Sequence, residues 1–490
     1  MKFQVFRDGK ALSRFPLKGA YLFGADGIAI RKAQIKFKNG FIECSKPNLE
    51  TAGLTLLWSV DGFGDIVLPT TCLPERSRPY TLNVELARAK LMQIVNKRED
   101  WSFFGDVEPF KECSRSAREM FIKSIHNLND PEQASKLADE ALEKAMACSD
   151  MLAVKQAELL YEVRRRKHGF GRGCFGCKVD PKRINNSDYV DRVLELFGSI
   201  TVPVNWAQVE SVRGGYDFTQ LDACIELFGK KRLAICAGPV LCFSKQYLPT
   251  WLFKSKVSFE QILEAAYQFT ATLVARYSQA VGVWSVLGGL NAFNHFGFGF
   301  EQILELTRAV SMAVKQAGSR AIKVIEISNP WGEYYSETPH TIPPLVYLDM
   351  VTQGGINFDA FGLQVHFSKD NKNVHIRDMM QISSVLDFFG IVGKPLYITE
   401  VEVPGAVSKS TEDGLEEGSF FQWDQTRQAR WIEQFYKIAL SKPFVEAVTY
   451  GSLVDHQKGQ MAATGLLNTK FEPKSSFQQL KKMRSNIFGR

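Results

Sequence analysis

The strongest constraint on this chain is a rhythm in its last two thirds. Short apolar runs stand at Phe175 to Val179, Ile200 to Val204, Leu233 to Ala237, Val281 to Leu287, Ile322 to Ile327, Phe358 to Val365, Pro395 to Val401 and Val445 to Tyr450. Between them lie stretches of helical periodicity, such as Phe259 to Tyr277, Phe300 to Gln316 and Ala429 to Leu440. Runs this short, with little polar alternation, suit strands covered on both faces, as in a parallel sheet wrapped by helices. Eight of them across residues 171–490 predict a (β/α)8 TIM barrel. The competitor is an open, doubly wound sheet. That fold calls for a glycine-rich phosphate loop after an early strand; none follows one here, and no GxxxxGK[ST] occurs. Nucleotide cofactors are therefore not expected, nor is any other cofactor.

Two smaller regions precede the barrel. Residues 1–81 carry alternating runs at Ala33 to Phe37, Phe41 to Cys44 and Leu54 to Val60, with turns at Lys38-Asn39-Gly40 and Asp61-Gly62. They read as a small β-rich domain. Its Trp58 and Tyr80 could stack on sugar rings, although core packing is the plainer role. Residues 82–170 are helical, with Asp130-Pro131 as a start signal and a stripe of Leu137, Ala141, Ala145, Cys148, Leu152, Leu159 and Val163. This linker domain reads as a spacer or as the surface through which copies of the chain would associate into a homo-oligomer. The basic run Arg164 to His168 suits the carboxyl end of that helix, and the GFGRG at residues 169–173 suits a hinge.

Composition narrows the partners. Sixty Lys and Arg against 53 Asp and Glu leave a net charge of +7 spread over 490 residues, too dilute for a nucleic-acid surface. Nine cysteines, an odd number, argue against a complete disulfide framework. Cys174 and Cys177 form a CxxC with no second pair at zinc spacing, so no metal is expected and buried thiols are the default. The start, MKFQVFRDGK, lacks an apolar leader, and no apolar run is long enough to span a membrane. A cytoplasmic location without membrane attachment is the expectation.

In such a barrel the carboxyl ends of the strands carry the chemistry. The stretch KPLYITEVEVP, Lys394 to Pro404, delivers Glu400 to the end of strand seven, with Glu402 two residues on. A frayed surface glutamate is the bland alternative. The other strand ends supply Asn205, Trp206 and Glu210 after strand two, Trp251 after strand three, and Asn291, Asn294 and His295 after Trp284 and strand four. Strand five supplies Glu326 and Trp331, strand six Gln364 and His366, and strand eight Tyr450 and Asp455. Amides and imidazoles pair with hydroxyls, and aromatic faces stack on sugar rings, so the expected ligand is a carbohydrate.

Three segments resemble the family 10 glycoside hydrolases, the xylanase family. They are Val204 to Phe218 with the following LDACIEL, AGPVLCFS and LPTW; FDAFGLQVHFS, Phe358 to Ser368; and PLYITEVEV, Pro395 to Val403, with VTYGSLVD and LLNTKFEPKSSFQQL. The resemblance covers residues 175–485 and leaves the first 170 unmatched. It implies a retaining hydrolase of β-1,4-linked xylose polymers working through two glutamates. Glu400 resembles the nucleophile, His366 the histidine that orients it, Gln364 its neighbour, and Trp206 and Trp251 parts of a sugar-lined floor. Trp284, Asn205, Asn291, Asn294 and Tyr450 complete the expected substrate contacts.

The departures lie on the other side of the site. Where the family carries the general acid after strand four, this chain has Gly288-Gly289 or Leu290-Asn291, with no carboxylate. The histidines after strand three are missing, and Thr449-Tyr450-Gly451 replaces a Trp-containing motif at strand eight. Losing the acid costs roughly 100- to 10,000-fold in rate, about 3 to 5.5 kcal/mol. Three outcomes stay open: Glu326 stands in as the acid, with His295 and Glu333 behind it; the substrate carries a good leaving group; or the cleft is a non-catalytic carbohydrate-binding site. An intracellular scaffold working through the helical region is a further alternative.

Overall fold

The computed structural model describes residues 1–101, 108–254, 257–318, 320–367, 375–405, 423–456 and 463–489. Ser368, the last residue of the FDAFGLQVHFS segment, lies outside them. Each of the eight apolar runs is a strand: Phe175–Lys178, Ser199–Val202, Ala234–Ala237, Val283–Gly288, Ile322–Ser328, Ala360–His366, Leu396–Glu402 and Val445–Tyr450. Neighbours pair in chain order and in parallel. The ring closes where strand one meets strand eight, Cys177 beside Tyr450. Strand three meets strand four through Ala237 and Trp284, and a short strand, Leu241–Cys242, extends that edge.

A helix follows every strand: Ser187–Leu196, Thr219–Lys230, Phe259–Tyr277, Phe300–Gln316, Pro344–Gln353, Met379–Gly390, Gln425–Ser441 and Ser475–Phe488. Their starts are written locally. Ser258 accepts a hydrogen bond from the Gln261 amide while the Gln261 side chain accepts from the Ser258 amide, a reciprocal cap at the head of Phe259–Tyr277. The inner faces bury Val, Ile, Leu and Phe, each contributing about 1.5–3 kcal/mol when fully removed from water. The chain is thereby a closed eight-stranded parallel barrel with its helices outside, preceded by β-rich sheets.

Those sheets are a four-stranded one (Lys2–Gln4, Gln34–Lys38, Phe41–Ser45, Tyr80–Thr81) and a three-stranded one (Tyr21–Phe23, Gly53–Val60, Gly64–Pro69). The hairpin between Gln34–Lys38 and Phe41–Ser45 turns on Asn39 and Gly40, both at positive φ, which the right-handed twist of the flanking strands requires. Trp58 and Tyr80 are buried in the core of this unit rather than offered to a ligand.

The helical region comprises Leu82–Asp100, Glu108–His126 and Pro131–Lys167, and its described buried residues join the cores on either side of it. The long helix is shared. Ala134, Ala138, Ala141, Leu142 and Met146 bury against the β-rich unit, and Ala145, Cys148, Leu152, Ala153 and Ala157 against the barrel core. Small residues let both neighbours approach closely. Leu159 and Val163, expected on the same stripe, are instead exposed, because the helix turns a different face to the barrel near its end. There Arg164 does more than complement the helix end: its guanidinium donates to the carbonyls of Leu440, Lys442 and Val445.

The β-rich unit rests on loops at the carboxyl ends of the barrel strands. Arg31 donates to the carbonyls of Tyr335 and Thr341 in the loop after strand five and lies 4.0 Å over the Tyr335 ring. Gln381, at the head of the helix after strand six, donates to the Val67 carbonyl at 2.9 Å. Beneath this seam Lys90 and Asp378 form a buried ion pair at 2.9 Å. No helix among the described residues is long and apolar enough to cross a membrane.

Candidate active site

Four strand ends meet on the barrel floor. Glu400, near the carboxyl end of strand seven, accepts from the Lys178 ammonium of strand one at 2.9 Å. His366 Nε2 of strand six stands 3.6 Å from the same Glu400 oxygen, Oε2. On strand five, Glu326 Oε2 accepts from the Gln364 amide at 2.6 Å, and Ser328 Oγ donates to Gln364 Oε1, also at 2.6 Å. That pair of bonds fixes which way the Gln364 amide faces. Glu402 accepts from Ser452 Oγ.

Bare positions make room for this charge. A Cβ at Gly451 would lie 2.5 Å from the Glu402 carboxylate and 2.9 Å from Glu400 Cγ, and one at Gly362 would lie 2.9 Å from Glu326 Cγ. Any side chain there would push the carboxylates off the floor. At the end of strand four, a Cβ on Gly288 would lie 3.3 Å from Glu326 Oε2. The Glu326 carboxyl group therefore reaches over the position where strand four carries no side chain.

The two glutamates are held in opposite states. Burial alone would raise the Glu400 carboxyl, but the Lys178 ammonium and His366 outweigh it and keep the group below its ordinary value. Burial pushes Glu326 up to about 7; the nearby Glu400 charge adds to this, and Ser285, Lys178 and Gln364 oppose it without cancelling it. Burial also raises Glu402, with Glu400 again adding to the effect. With Glu400 lowered and Glu326 raised, the floor pairs a carboxylate with a carboxyl group able to carry a proton below about pH 7, a combination suited to a nucleophile and an acid.

Of the residues expected to touch substrate, Gln364, with Glu400, His366 and Glu326, is gathered into this network. Others are not, and their partners explain why. Trp206, 1% exposed, stacks on Phe269 at 5.3 Å, and its indole donates to Glu210. Trp284 is fully buried near the start of strand four, the end of the barrel away from the site. Asn291 donates to the Ser328 carbonyl and the Tyr334 hydroxyl, and Asn294 donates to the carbonyls of Phe298 and His340. Tyr450 is buried and donates to the Thr464 carbonyl. Asn205 caps the short helix Trp206–Val209 by accepting from the Gln208 amide. Half-buried Trp251 packs edge-on to Trp206 and donates to the Glu210 carbonyl. Of the two reserve acids, Glu333 is buried in an ion pair with Arg377, while His295 is exposed.

Lys178 was not among the residues that sequence reasoning singled out. Its signal was present: a lysine inside the otherwise apolar FGCKV of strand one, where a charge is out of place unless it has a partner. The CxxC thiols, Cys174 and Cys177, are free and buried, and among the described residues no cluster suited to a metal ion occurs.

A (β/α)8 barrel with carboxyl groups converging from strands five and seven defines a glycosidase-type scaffold. Residues 166–483 match the sequence model of Glycosyl hydrolase family 10, and the chain belongs to that family. Among curated relatives, endo-1,4-beta-xylanase B of Thermotoga neapolitana is 23% identical over 260 residues, 51% of this chain and 68% of that protein. Endo-1,4-beta-xylanase 5-like of Arabidopsis thaliana is 21% identical over 337 residues, 67% of this chain but only 53% of its own length. The chain thus spans about half of the plant relative. Among solved structures, xylanase B from Clostridium stercorarium F9 superposes with a TM-score of 0.50 at 17% identity, covering 66% of this chain and 98% of that one. GH10 from Paenibacillus barcinonensis gives 0.51 at 17% identity, covering 64% and 95%. At these identities the superpositions establish the fold.

Proposed function

We propose that the barrel hydrolyses O-glycosyl bonds of a β-linked, xylan-like glycan with retention of configuration. Glu400 is the nucleophile, His366 orients it, and Glu326 takes the place of the acid absent from strand four. The observation that carries this reading is the placement of two buried glutamates on one floor, Glu400 against the Lys178 ammonium and Glu326 bonded to the Gln364 amide and lying over Gly288. An ionised Glu400 attacks the anomeric carbon; Glu326 gives its proton to the departing oxygen and then draws one from the water that releases the sugar. Names of relatives support the xylan-like substrate, and the amide of Gln364 and the imidazole of His366 are suited to hydroxyl groups. Half-buried Trp251 is the remaining aromatic of the expected floor.

The test is turnover of aryl β-xylosides and xylo-oligosaccharides by the wild type, Glu400→Ala and Glu326→Gln. Hydrolysis that disappears with Glu400→Ala supports the reading. Sugar-dependent thermal stabilisation without any turnover would replace it with a carbohydrate-binding role.

A further inference from the structure

We propose that Lys178 is the positioning residue of this site, holding one oxygen of the Glu400 carboxylate against strand one so that the other is presented to the anomeric carbon. The inference rests on Glu400 being the nucleophile. Lys178 and His366 approach the same oxygen, Oε2, at 2.9 and 3.6 Å, from strands on different sides of strand seven. Among the described residues Oε1 carries no comparable partner, so the carboxylate is pinned at one end and free at the other. A nucleophile needs that asymmetry, since an oxygen already held by an ammonium and an imidazole is a poor donor of its electron pair.

Stability does not explain the pair. Lys178 and Glu400 are largely withdrawn from water, 22% and 13% exposed, and for ions so placed the cost of desolvation offsets much of their mutual attraction. Apolar residues of similar size would serve the barrel at least as well, and the chain neighbours of Lys178, Cys177 and Val179, are buried and apolar. The ion pair therefore points to a use for the charge. The groups facing Glu400 can be enumerated by element. Lys178 comes from strand one, Cys242 and Tyr247 from the segment after strand three, Glu326 from strand five, His366 from strand six, and Glu402 from strand seven itself. Burial raises both the Cys242 thiol and the Tyr247 phenol, which leaves them uncharged near neutral pH. Lys178 is thus the fixed cation of the floor.

The test compares Lys178→Met and Lys178→Gln with the charge-keeping Lys178→Arg. Two readouts are taken: the carboxyl ¹³C titration of Glu400, assigned by its loss in Glu400→Gln, and the pH profile of kcat/KM on an aryl β-xyloside. The neutral variants are expected to raise the Glu400 titration and the acidic limb of the profile together by about 1 to 3 pH units. Lys178→Arg should keep both near the wild type. An unmoved titration in the neutral variants overturns the proposal. So does failure of the neutral variants to fold when the paired Lys178→Met/Glu400→Gln also fails, which would make Lys178 a residue of folding. A titration that moves in a protein without turnover on any glycoside upholds the Lys178 contact and sinks the hydrolase reading instead.

Discussion

The carboxyl ends of strand seven and strand four belong to one ring but are furnished in opposite ways. At strand seven, Glu400 and Glu402 stand two residues apart, with Lys178, His366 and Ser452 turned toward them. At strand four, Gly288 and Gly289 carry nothing, and the asparagines that follow spend their amides on the carbonyls of Ser328, Phe298 and His340. Charge is concentrated on one side and its absence on the other is filled by a neighbour, since Glu326 leans from strand five over Gly288. In a closed barrel, adjacent strands lie about 4.8 Å apart, so a long side chain can serve the site of the strand beside it. The comparison teaches that a strand end left bare can be covered by a carboxyl group from the strand beside it, with the scaffold unchanged.

The sharpest way to break that comparison is at the charged side. Glu400→Gln keeps the shape but removes the proposed nucleophile, and turnover of xylosides should fall by roughly 10⁴-fold or more, read as kcat. Retention of activity would leave strand seven as ordinary as strand four. On the filled side, Glu326→Gln should lower kcat on alkyl or sugar leaving groups by about 100- to 10,000-fold, and by much less on activated aryl leaving groups that need no proton. Equal losses on both substrates would deny Glu326 the acid role.

The pH profile sharpens the same contrast. Glu326 is raised to about 7, so its proton is present below that value and lost above it, and the rate should fall on the alkaline side around pH 7. Glu400 is lowered, so the acidic limb should lie below the ordinary carboxylate value. In stability terms the sign is the same for Glu326. Its raised value favours the folded state below the unfolded value, and this contribution is lost as pH rises toward about 7. Glu326→Gln should therefore flatten that part of the Tm profile as well as remove the alkaline limb. The smallest effect belongs to the seam with the β-rich unit: Arg31→Ala should cost about 1–3 kcal/mol in unfolding free energy through its lost bonds to the 335–341 loop, with kcat little changed.

The barrel was legible because its strands are buried on both faces. All eight apolar runs became strands, and Phe259–Tyr277 and Phe300–Gln316 are helices over the stretches their periodicity marks. Glu400, His366, Gln364 and Glu326 were legible for a related reason: a polar residue ending an apolar run has few places to point except the barrel mouth. The loops were not. Asn291 and Asn294 have the chemistry to bind hydroxyls, but the same amides satisfy backbone carbonyls, and composition does not say which. Trp206 and Tyr450 fail for an analogous reason, since a large ring at a strand end can turn down into the core as readily as up. Lys178 escaped because a lone lysine in a short apolar strand has no partner in its own stretch of sequence; its carboxylate comes from strand seven, 222 residues on, which is separated from strand one in the ring by strand eight alone.

The most direct measurement is to incubate the protein with an activated 2-deoxy-2-fluoro-β-xyloside, which slows release of the glycosyl-enzyme, and to map the labelled peptide by mass spectrometry. The account predicts one fluorosugar per chain, on Glu400 within the Leu396–Glu402 strand, and no label in Glu400→Gln. A label on Glu326 or Glu402, or none after the aryl group has been released, would contradict it.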